Sequence, residues 1–222
     1  MQTEMKTIIS NELVICMLYN YLTENYSPGD IIKISDILTN TPVSTIRWQL
    51  KQLVDAGKLI RLENGIYCLP KINKFGLTVY PDAQDVANAK YIENGKKRVG
   101  YFSGAYFANQ LGISTQLPYE LEIATNEAGN PVRRVMICGK SFVIRKSGII
   151  INDENYKTLR LLDLLKNFEN YNELENSEAA IKLASYISEN RIEKSEVDKY
   201  LPYYPDRIYK NIYELGLYNV FA

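Results

Sequence analysis

The segment from Thr41 to Pro70 places the strongest constraint on the fold, because it predicts a helix that leads directly into a tight hairpin. Pro42 suits the first position of a helix, where a backbone N–H has no partner in any case. Two strand-like runs follow, at residues 58–62 and 66–69, and Asn64-Gly65 lies between them. Asn-Gly readily supplies the two positive φ angles of a type I′ turn. The segment therefore predicts a helix followed by a two-stranded hairpin.

The predicted helix is amphipathic. Its apolar residues recur every three or four positions, which places them on one side of a helix. Polar and basic side chains occupy the opposite side and remain available for a partner. The apolar residues are Val43, Ile46, Leu50, Leu53 and Val54.

The residues before this helix predict two further helices. Residues 8–26 carry an apolar helical pattern that Ser27-Pro28-Gly29 ends, and residues 35–38 form a shorter segment with Ser35 as its cap. Thr39-Asn40 then forms a turn. The order helix, helix, turn, helix, hairpin predicts a winged helix-turn-helix domain over residues 1–74, whose last helix enters the major groove of double-stranded DNA. The candidate DNA contacts are Ser44, Thr45, Arg47, Trp48, Lys51, Lys58 and Arg61.

A protein-binding role is the alternative for this domain. Residues 1–74 contain eight basic and seven acidic residues, and non-specific DNA affinity comes mainly from neutralised phosphates. The charge balance alone therefore gives little support for DNA binding. Trp48 fits packing against a second domain as well as it fits a DNA contact, because large aromatic side chains on helices are usually buried.

The composition predicts a globular protein of two or more domains. The chain has 222 residues, of which 46% are hydrophobic, and no apolar run is long enough to span a bilayer. The N-terminus lacks the pattern of a signal peptide, so we expect a cytoplasmic protein with no membrane partner. The three cysteines are widely spaced within apolar segments, which predicts buried thiols in a reducing compartment.

The absence of histidine excludes Ser–His and Cys–His nucleophiles and His-ligated metal sites. We therefore expect no enzymatic activity, no catalytic residues, no cofactor and no bound metal. The alternative is a nuclease or transferase that uses carboxylates and a divalent metal. Asp82 and Glu93 weakly resemble such an arrangement, although the lysine expected two positions after Glu93 is Gly95. The candidate carboxylates for this alternative are Asp82, Asp85, Glu93 and Glu122.

The second half of the chain predicts a small α/β domain over residues 75–150, with an antiparallel sheet and a helix capped by Ser103. This part carries nine basic and six acidic residues. Its basic cluster could bind RNA or an acidic protein, or could simply be hydrated. Residues 151–222 predict four helices that pack on the α/β domain as a C-terminal subdomain. The cluster consists of Lys96, Lys97, Arg98, Arg133, Arg134, Arg145 and Lys146.

Residues 101–118, with the sequence YFSGAYFANQLGISTQLP, resemble the second domain of the AbiEi-like antitoxins of type IV toxin–antitoxin systems. KKRVG precedes this segment, and GIYCLP ends the predicted hairpin. The family pattern contains Ser-Gly, Ala/Asn and Leu-Gly-Leu-Ser-Thr-Gln-Val-Pro. Phe102 departs from it where the family often has proline, and Ile113 and Leu117 are apolar replacements. Arg98 from KKRVG is assigned to the motif together with the matching residues Ser103, Gly104, Asn109, Leu111, Gly112, Ser114, Thr115, Gln116 and Pro118.

The resemblance implies two functions. The winged helix would repress the operon of the protein by binding inverted repeats in the promoter. The second domain would counteract a toxin that resembles nucleotidyltransferases, without a stable antitoxin–toxin complex. The residues alone leave open a stand-alone winged-helix transcription factor whose C-terminal half senses a ligand or a protein.

Overall fold

The structure, a computed structural model, describes residues 2–221, and the side chains of residues 13–221. It has the predicted α+β class and the predicted C-terminal helices. The chain divides into two compact units at the Ala89–Lys90 bond. The helices are α1 (Gln2–Asn25), α2 (Val43–Asp55), α3 (Ala83–Tyr91), α4 (Gly104–Gln110), α5 (Tyr156–Lys166), α6 (Asn176–Asn190), α7 (Lys194–Tyr200) and α8 (Arg207–Glu214). The strands are β1 (Ile31–Lys33), β2 (Ile60–Glu63), β3 (Ile66–Cys68), β4 (Lys71–Ile72), β5 (Thr78–Val79), β6 (Glu93–Asn94), β7 (Lys97–Arg98), β8 (Gly100–Ser103), β9 (Leu121–Thr125), β10 (Val132–Ile137) and β11 (Lys140–Lys146).

In the first unit, helices α1 and α2 pack with a three-stranded antiparallel sheet. The strand order is β1-β3-β2, so β3 is the central strand. The apolar side of α2 enters the core with Ile46, Leu50 and Leu53, and α1 contributes Leu18 and Leu22. Burial of these five side chains holds the two helices and the sheet together, because each removes apolar surface from water.

Two predictions for the first unit are wrong in detail. A single 3-10 turn, Ile34–Asp36, stands where a helix was expected at residues 35–38. The strand β1 before it was not predicted, because three residues are too few to show an alternating pattern. Helix α2 begins at Val43, so Pro42 precedes its first residue instead of occupying it.

The type I′ turn predicted at Asn64-Gly65 is not formed there; a turn of this type instead joins β10 to β11. Gly65 has φ +75°, but the residues of positive φ do not include Asn64, and the register of β2 and β3 shifts between Arg61 and Glu63. A bulge of this kind changes which turn the hairpin needs. In the second unit, Cys138 and Gly139 have φ angles of 46° and 79° and join β10 to β11 through a two-residue loop. Positive φ at both positions is the signature of a type I′ turn.

The second unit is built on a four-stranded sheet with the order β10-β11-β9-β8. Strands β10 and β11 are antiparallel, as are β8 and β9, whereas the central pair β9 and β11 is parallel. The predicted antiparallel arrangement therefore holds at the two outer pairings and is wrong at the central one. The chain runs from β9 to the edge strand β10 and then turns back into β11, which therefore runs in the same direction as β9 and pairs with it directly.

One face of this sheet, which we call the α5 face, is defined by the register. Tyr101 lies opposite Ala124, and Ala124 lies beside Arg145. Arg145 pairs in turn with Val132 on the edge strand. Helix α5 packs on β8 at one end of this face, while Val132 is exposed at the other end. The α5 face is therefore covered by a helix on one side and open on the other.

The core of the second unit joins the sheet to the C-terminal helices. Tyr101 and Ala124 belong to the same buried cluster as Leu161 and Leu165 of α5 and Ile208 of α8. The core thus continues across position 150, where the sequence predicted a boundary between the α/β domain and the helical subdomain.

The cysteines differ in burial. Cys68 is buried in β3, whereas Cys16 and Cys138 are exposed. The prediction that the thiols are buried is therefore wrong for two of the three. None of the helices in the described part of the chain is long and apolar enough to cross a membrane.

Candidate functional site

The exposed side of α2 carries the first group of candidate residues. Ser44, Arg47, Trp48 and Lys51 are exposed, and Thr45 is half-buried at the border of this side. Trp48 remains 39% exposed, which leaves much of its indole surface accessible. Because α2 buries its opposite side in the core, the helix presents a rigid polar surface.

The buried side of α2 differs at two positions from the predicted apolar pattern. Gln49 is only 2% exposed, whereas Val43 is 51% exposed. The sequence pattern could not show this, because a single polar residue on an apolar side interrupts the periodicity without cancelling it.

The two remaining basic candidates lie beyond α2 and have partners of their own. The Lys58 Nζ atom lies 5.0 Å from the centre of the Tyr19 ring in α1. In the hairpin, Arg61 donates hydrogen bonds to the Glu63 carbonyl oxygen, at 3.4 Å, and to Asn64 Oδ1, at 3.3 Å. These contacts fix the Arg61 guanidinium along the tip of the hairpin. Arg61 thus lies on the hairpin, whereas Lys58 lies beside α1.

In the second unit, Ser103 and Gly104 lie against a cluster of charged side chains. Ser103 occupies the N-cap position of α4 but makes no capping hydrogen bond. Its hydroxyl donates to Glu122 at 3.3 Å and accepts from Arg145 Nη2 at 3.2 Å. The prediction of a helix-capping hydroxyl is therefore wrong. The two charged partners compete for the hydroxyl with the backbone N–H groups of the helix.

Arg145 and Asp163 form the centre of this cluster. Arg145 donates to Glu122 through Nε, and to Asp163 Oδ2 through Nη2 at 3.1 Å. Asp163 is 7% exposed and also accepts from Tyr101 Oη at 2.9 Å and from Lys166 Nζ at 3.1 Å. A buried carboxylate with three donors is well satisfied, as the desolvation cost of a buried charge requires.

The electrostatics of the cluster follow from burial and from these partners. Burial lowers the pKa of the Arg145 guanidinium, but the charges of Asp163 and Glu122 more than offset burial, and the net effect is a raised pKa. Burial, followed by the charge of Asp163, raises the pKa of the Tyr101 hydroxyl well above its usual range. Arg145 is therefore held as a cation and Tyr101 as a neutral hydrogen-bond donor.

The rest of the motif forms a turn that one carboxylate holds together. Glu173 accepts a hydrogen bond from the Ser114 hydroxyl at 3.1 Å, and from Thr115 through its backbone N–H at 2.7 Å and its hydroxyl at 2.8 Å. The Gln116 N–H donates to Ser114 Oγ, and Asn109 Nδ2 donates to the Ser114 carbonyl oxygen. Gly112, with φ +68°, follows α4 as the predicted stop.

Arg98 lies apart from both groups. Its guanidinium carbon lies 4.2 Å from the centre of the Tyr156 ring, and its backbone N–H donates to Asp153. The motif residues therefore lie at three separate locations: at Arg98, at Ser103 and Gly104, and in the turn at 114–116. Each location is linked to a residue after position 150, namely Asp153, Asp163 (through Arg145) and Glu173. Asp163 and Glu173, which hold two of these locations, were not identified from the sequence. Both lie in a segment that shows only helical periodicity and net acidity.

A cleft of about 350 Å³ opens beside Arg145. Its walls come from the α5 face of the sheet, from the loop after β11, from α5, and from the 3-10 turn at Leu201–Tyr203 with the residues that follow it. It is lined by Tyr101, Ala124, Arg145, Lys146, Ser147, Gly148, Ile149, Asp163, Lys166, Tyr203, Tyr204 and Pro205.

The carboxylates of the metal-dependent alternative are not gathered in one place. In the part of the chain that the structure describes, no three Cys, Asp or Glu side chains are grouped so that they could hold a metal ion. Glu122 is already engaged by Arg145 and Ser103.

Residues 21–190 match a protein family of unknown function, DUF6088. The chain belongs to the DUF6088 family. The DUF6088 match begins within α1 and ends with α6, so it covers α2, the β2–β3 hairpin, the four-stranded sheet and α5. A single family therefore contains both candidate regions. No curated protein is significantly similar to this chain.

Proposed function

We propose that this protein is a DNA-binding transcriptional autorepressor and the antitoxin of a type IV toxin–antitoxin system. The observation that carries the DNA-binding part is the exposed side of α2, where Arg47, Trp48 and Lys51 lie opposite the buried Ile46 and Leu50. The proposal includes no catalytic step, and it places the protein in the cytoplasm, where promoter DNA is accessible.

The first unit supports an assignment as a winged helix-turn-helix. In this assignment α2 is the recognition helix, the β2–β3 hairpin is the wing, and α1 supports α2 from behind. The 3-10 turn at Ile34–Asp36 takes the place of the second helix. A recognition helix must be supported on its inner side and polar on its outer side, and the burial pattern of α2 meets both requirements.

The candidate residues then divide into two roles. Ser44, Arg47 and Lys51 lie on the polar side of α2, where arginine and lysine side chains can reach guanine edges or phosphates. Arg61 lies on the hairpin, where its charge would neutralise a backbone phosphate. Each phosphate contact adds affinity and salt dependence, whereas each base contact adds sequence preference.

The antitoxin part of the proposal rests on the resemblance of residues 101–118 to the AbiEi-like pattern. The expected target is a toxin that resembles nucleotidyltransferases, counteracted without a stable complex. The motif residues Ser103, Gly104, Ser114 and Thr115 make contacts within the chain, so in this proposal they shape the second unit and do not themselves bind the toxin.

A gel-shift titration of the full chain with its own upstream promoter DNA tests the DNA-binding part. We expect salt-sensitive binding that survives an excess of unrelated competitor DNA. Equal affinity for promoter and competitor would reject the autorepressor. For the antitoxin, the test requires a nucleotidyltransferase-like gene beside the gene of this protein. Expression of that gene alone should arrest growth, and co-expression of the present chain should restore it; continued arrest would reject the antitoxin.

A second candidate function is a stand-alone winged-helix transcription factor whose C-terminal half senses a ligand. The cleft beside Arg145 favours it, because its volume of about 350 Å³ falls within the range of small-molecule sites, roughly 300–1,000 Å³. Without a toxin-like gene beside its own, the protein would fit this second function better than the first.

A further inference from the structure

The cleft in the second unit lies at a characteristic position in the sheet. Strands β9 and β11 are parallel, and the cleft contains Ala124, near the carboxyl end of β9, and Arg145 to Ile149, at and beyond the carboxyl end of β11. Loops at the carboxyl ends of parallel strands commonly bind ligands, because they diverge from the sheet and leave a crevice. The topology alone therefore marks this edge as a candidate binding site.

The cleft is open because helices cover only part of the α5 face. Helix α5 covers β8 and the Tyr101 end of the α5 face, whereas Arg134 and Met136 at the far end are exposed. Arg145 stands at the border between the covered and the open part. Side chains at this border are half-buried, so they are fixed in position and still accessible.

The charges in the cleft favour an anion. Among the described lining residues, Arg145, Lys146 and Lys166 are cationic, and Asp163 is the only carboxylate. Asp163 already accepts hydrogen bonds from Tyr101, Arg145 and Lys166. Glu122, which lies outside the lining, also pairs with Arg145. With both carboxylates counted, the three cations leave an excess of one positive charge at the cleft. Lys146 is exposed at the rim. Arginine and lysine side chains in such a half-dry site are the usual ligands of phosphate groups.

The opposite wall of the cleft is aromatic. Tyr203 is 72% exposed, and Tyr204 is half-buried beside it, with Lys166 Nζ lying 5.7 Å from the centre of its ring. Exposed tyrosine rings at the mouth of a site can stack on a flat ligand, and nucleobases stack on aromatic side chains with little dependence on their identity.

We propose that this cleft binds a nucleoside monophosphate, with the phosphate at Arg145, Lys146 and Lys166 and the base against Tyr203. The volume of about 350 Å³ lies near the lower end of the range of small-molecule sites, roughly 300–1,000 Å³. This volume is larger than inorganic phosphate would fill and too small to hold an oligonucleotide. The site lies entirely within residues 90–222 and does not depend on DNA binding by the first unit.

Isothermal titration calorimetry of the full chain tests this proposal. The probes are AMP, CMP, GMP and UMP, with adenosine and inorganic phosphate as partial ligands. We expect at least one nucleotide to bind at least about tenfold more tightly than phosphate or adenosine, because only the nucleotide reaches both walls. No heat from any nucleotide, or phosphate binding as tightly as the best nucleotide, would overturn the proposal.

Two exposed residues allow the site to be tested without disturbing the core. Tyr203→Ala and Lys146→Ala should each weaken nucleotide binding about tenfold. Tyr213→Ala and Lys210→Ala are matched controls at exposed positions outside the cleft, and they should leave the affinity unchanged. Equal affinity in all four variants would place the nucleotide elsewhere and overturn the assignment of the cleft. The promoter gel shift can succeed or fail independently of either result.

Discussion

The hydroxyl group of Tyr101 donates a 2.9 Å hydrogen bond to Oδ2 of Asp163, although the two residues are 62 positions apart in the chain. This bond ties the edge strand β8 to helix α5. Arg145 donates to the same oxygen at 3.1 Å from β11. One carboxylate oxygen therefore joins three elements of the second unit.

Removing this carboxylate should destabilise the second unit. Asp163→Ala leaves the half-buried Arg145 and Lys166 without their shared partner, and breaking a buried pair on one side costs about 3 kcal/mol. Urea unfolding followed by circular dichroism should show this loss. Glu214→Ala is the matched control, since it removes the exposed pair with Lys210, at 3.8 Å, which contributes under about 0.5 kcal/mol. Similar losses in the two variants would contradict the importance of the cluster.

Gly104 should tolerate no side chain. It has φ +64°, and a Cβ atom there would lie 2.9 Å from Glu122 Oε2, an oxygen whose carboxyl group Arg145 and Ser103 hold in place. We expect Gly104→Ala to lower the free energy of unfolding by about 2 kcal/mol, through the cost of the left-handed conformation and the close contact. Gly129→Ala is the control, because its φ is not positive and a Cβ atom there meets nothing within 4 Å. A neutral Gly104→Ala variant would contradict both the left-handed conformation at this position and the close contact with Glu122.

The hydrogen bonds to Glu173 should make stability depend on pH. The Thr115 N–H, followed by the Thr115 hydroxyl, lowers the pKa of this carboxyl group below its ordinary value. A lowered pKa means that the stabilisation is complete above the pKa of glutamate in the unfolded chain, roughly 4.3, and is lost as pH falls through the folded pKa. The difference in unfolding free energy between wild type and Glu173→Gln should therefore shrink from pH 6 toward pH 3. A difference that stays constant with pH would assign the effect to packing.

The exposed basic residues of α2 should control DNA binding without affecting stability. Arg47→Ala with Lys51→Ala should weaken promoter binding by about 100-fold, since a base contact contributes about 1–3 kcal/mol and the loss of a phosphate contact weakens binding further. The melting temperature should not change, because both side chains are exposed. Lys71→Ala removes one exposed charge outside α2 and the β2–β3 hairpin, and it should weaken binding far less. Promoter binding retained by the double variant would remove α2 from the proposed interface.

The elements that could be predicted from the sequence are those whose signals are local. Helix α2 follows from the spacing of Ile46, Leu50 and Leu53, and the β2–β3 hairpin from Asn64-Gly65 between two apolar runs. The C-terminal helices follow from the same helical spacing. Each of these signals lies within about fifteen residues of chain, which is the range over which periodicity can be detected.

The features that could not be predicted depend on distant partners. The parallel pairing of β9 with β11 depends on tertiary packing, because β10 could instead have paired with both β9 and β11 in an entirely antiparallel sheet. Ser103 was recognised as a residue at the start of a helix, but its hydroxyl bonds to residues 19 and 42 positions away. Asp163 and Glu173 complete the candidate sites from a segment whose own pattern indicates only helix.

The core that joins Tyr101 to Phe221 also determines when each part of the chain can fold during translation. In the first unit, α1, α2 and the three-stranded sheet are complete at Cys68, so this part can fold while the ribosome is still synthesising the rest. The second unit cannot complete its core until Phe221 has left the exit tunnel. At an elongation rate of roughly 5–20 residues per second, its apolar strands therefore remain exposed for several seconds. During that interval the nascent chain would be a substrate for chaperones and proteases, while its N-terminal unit is already folded.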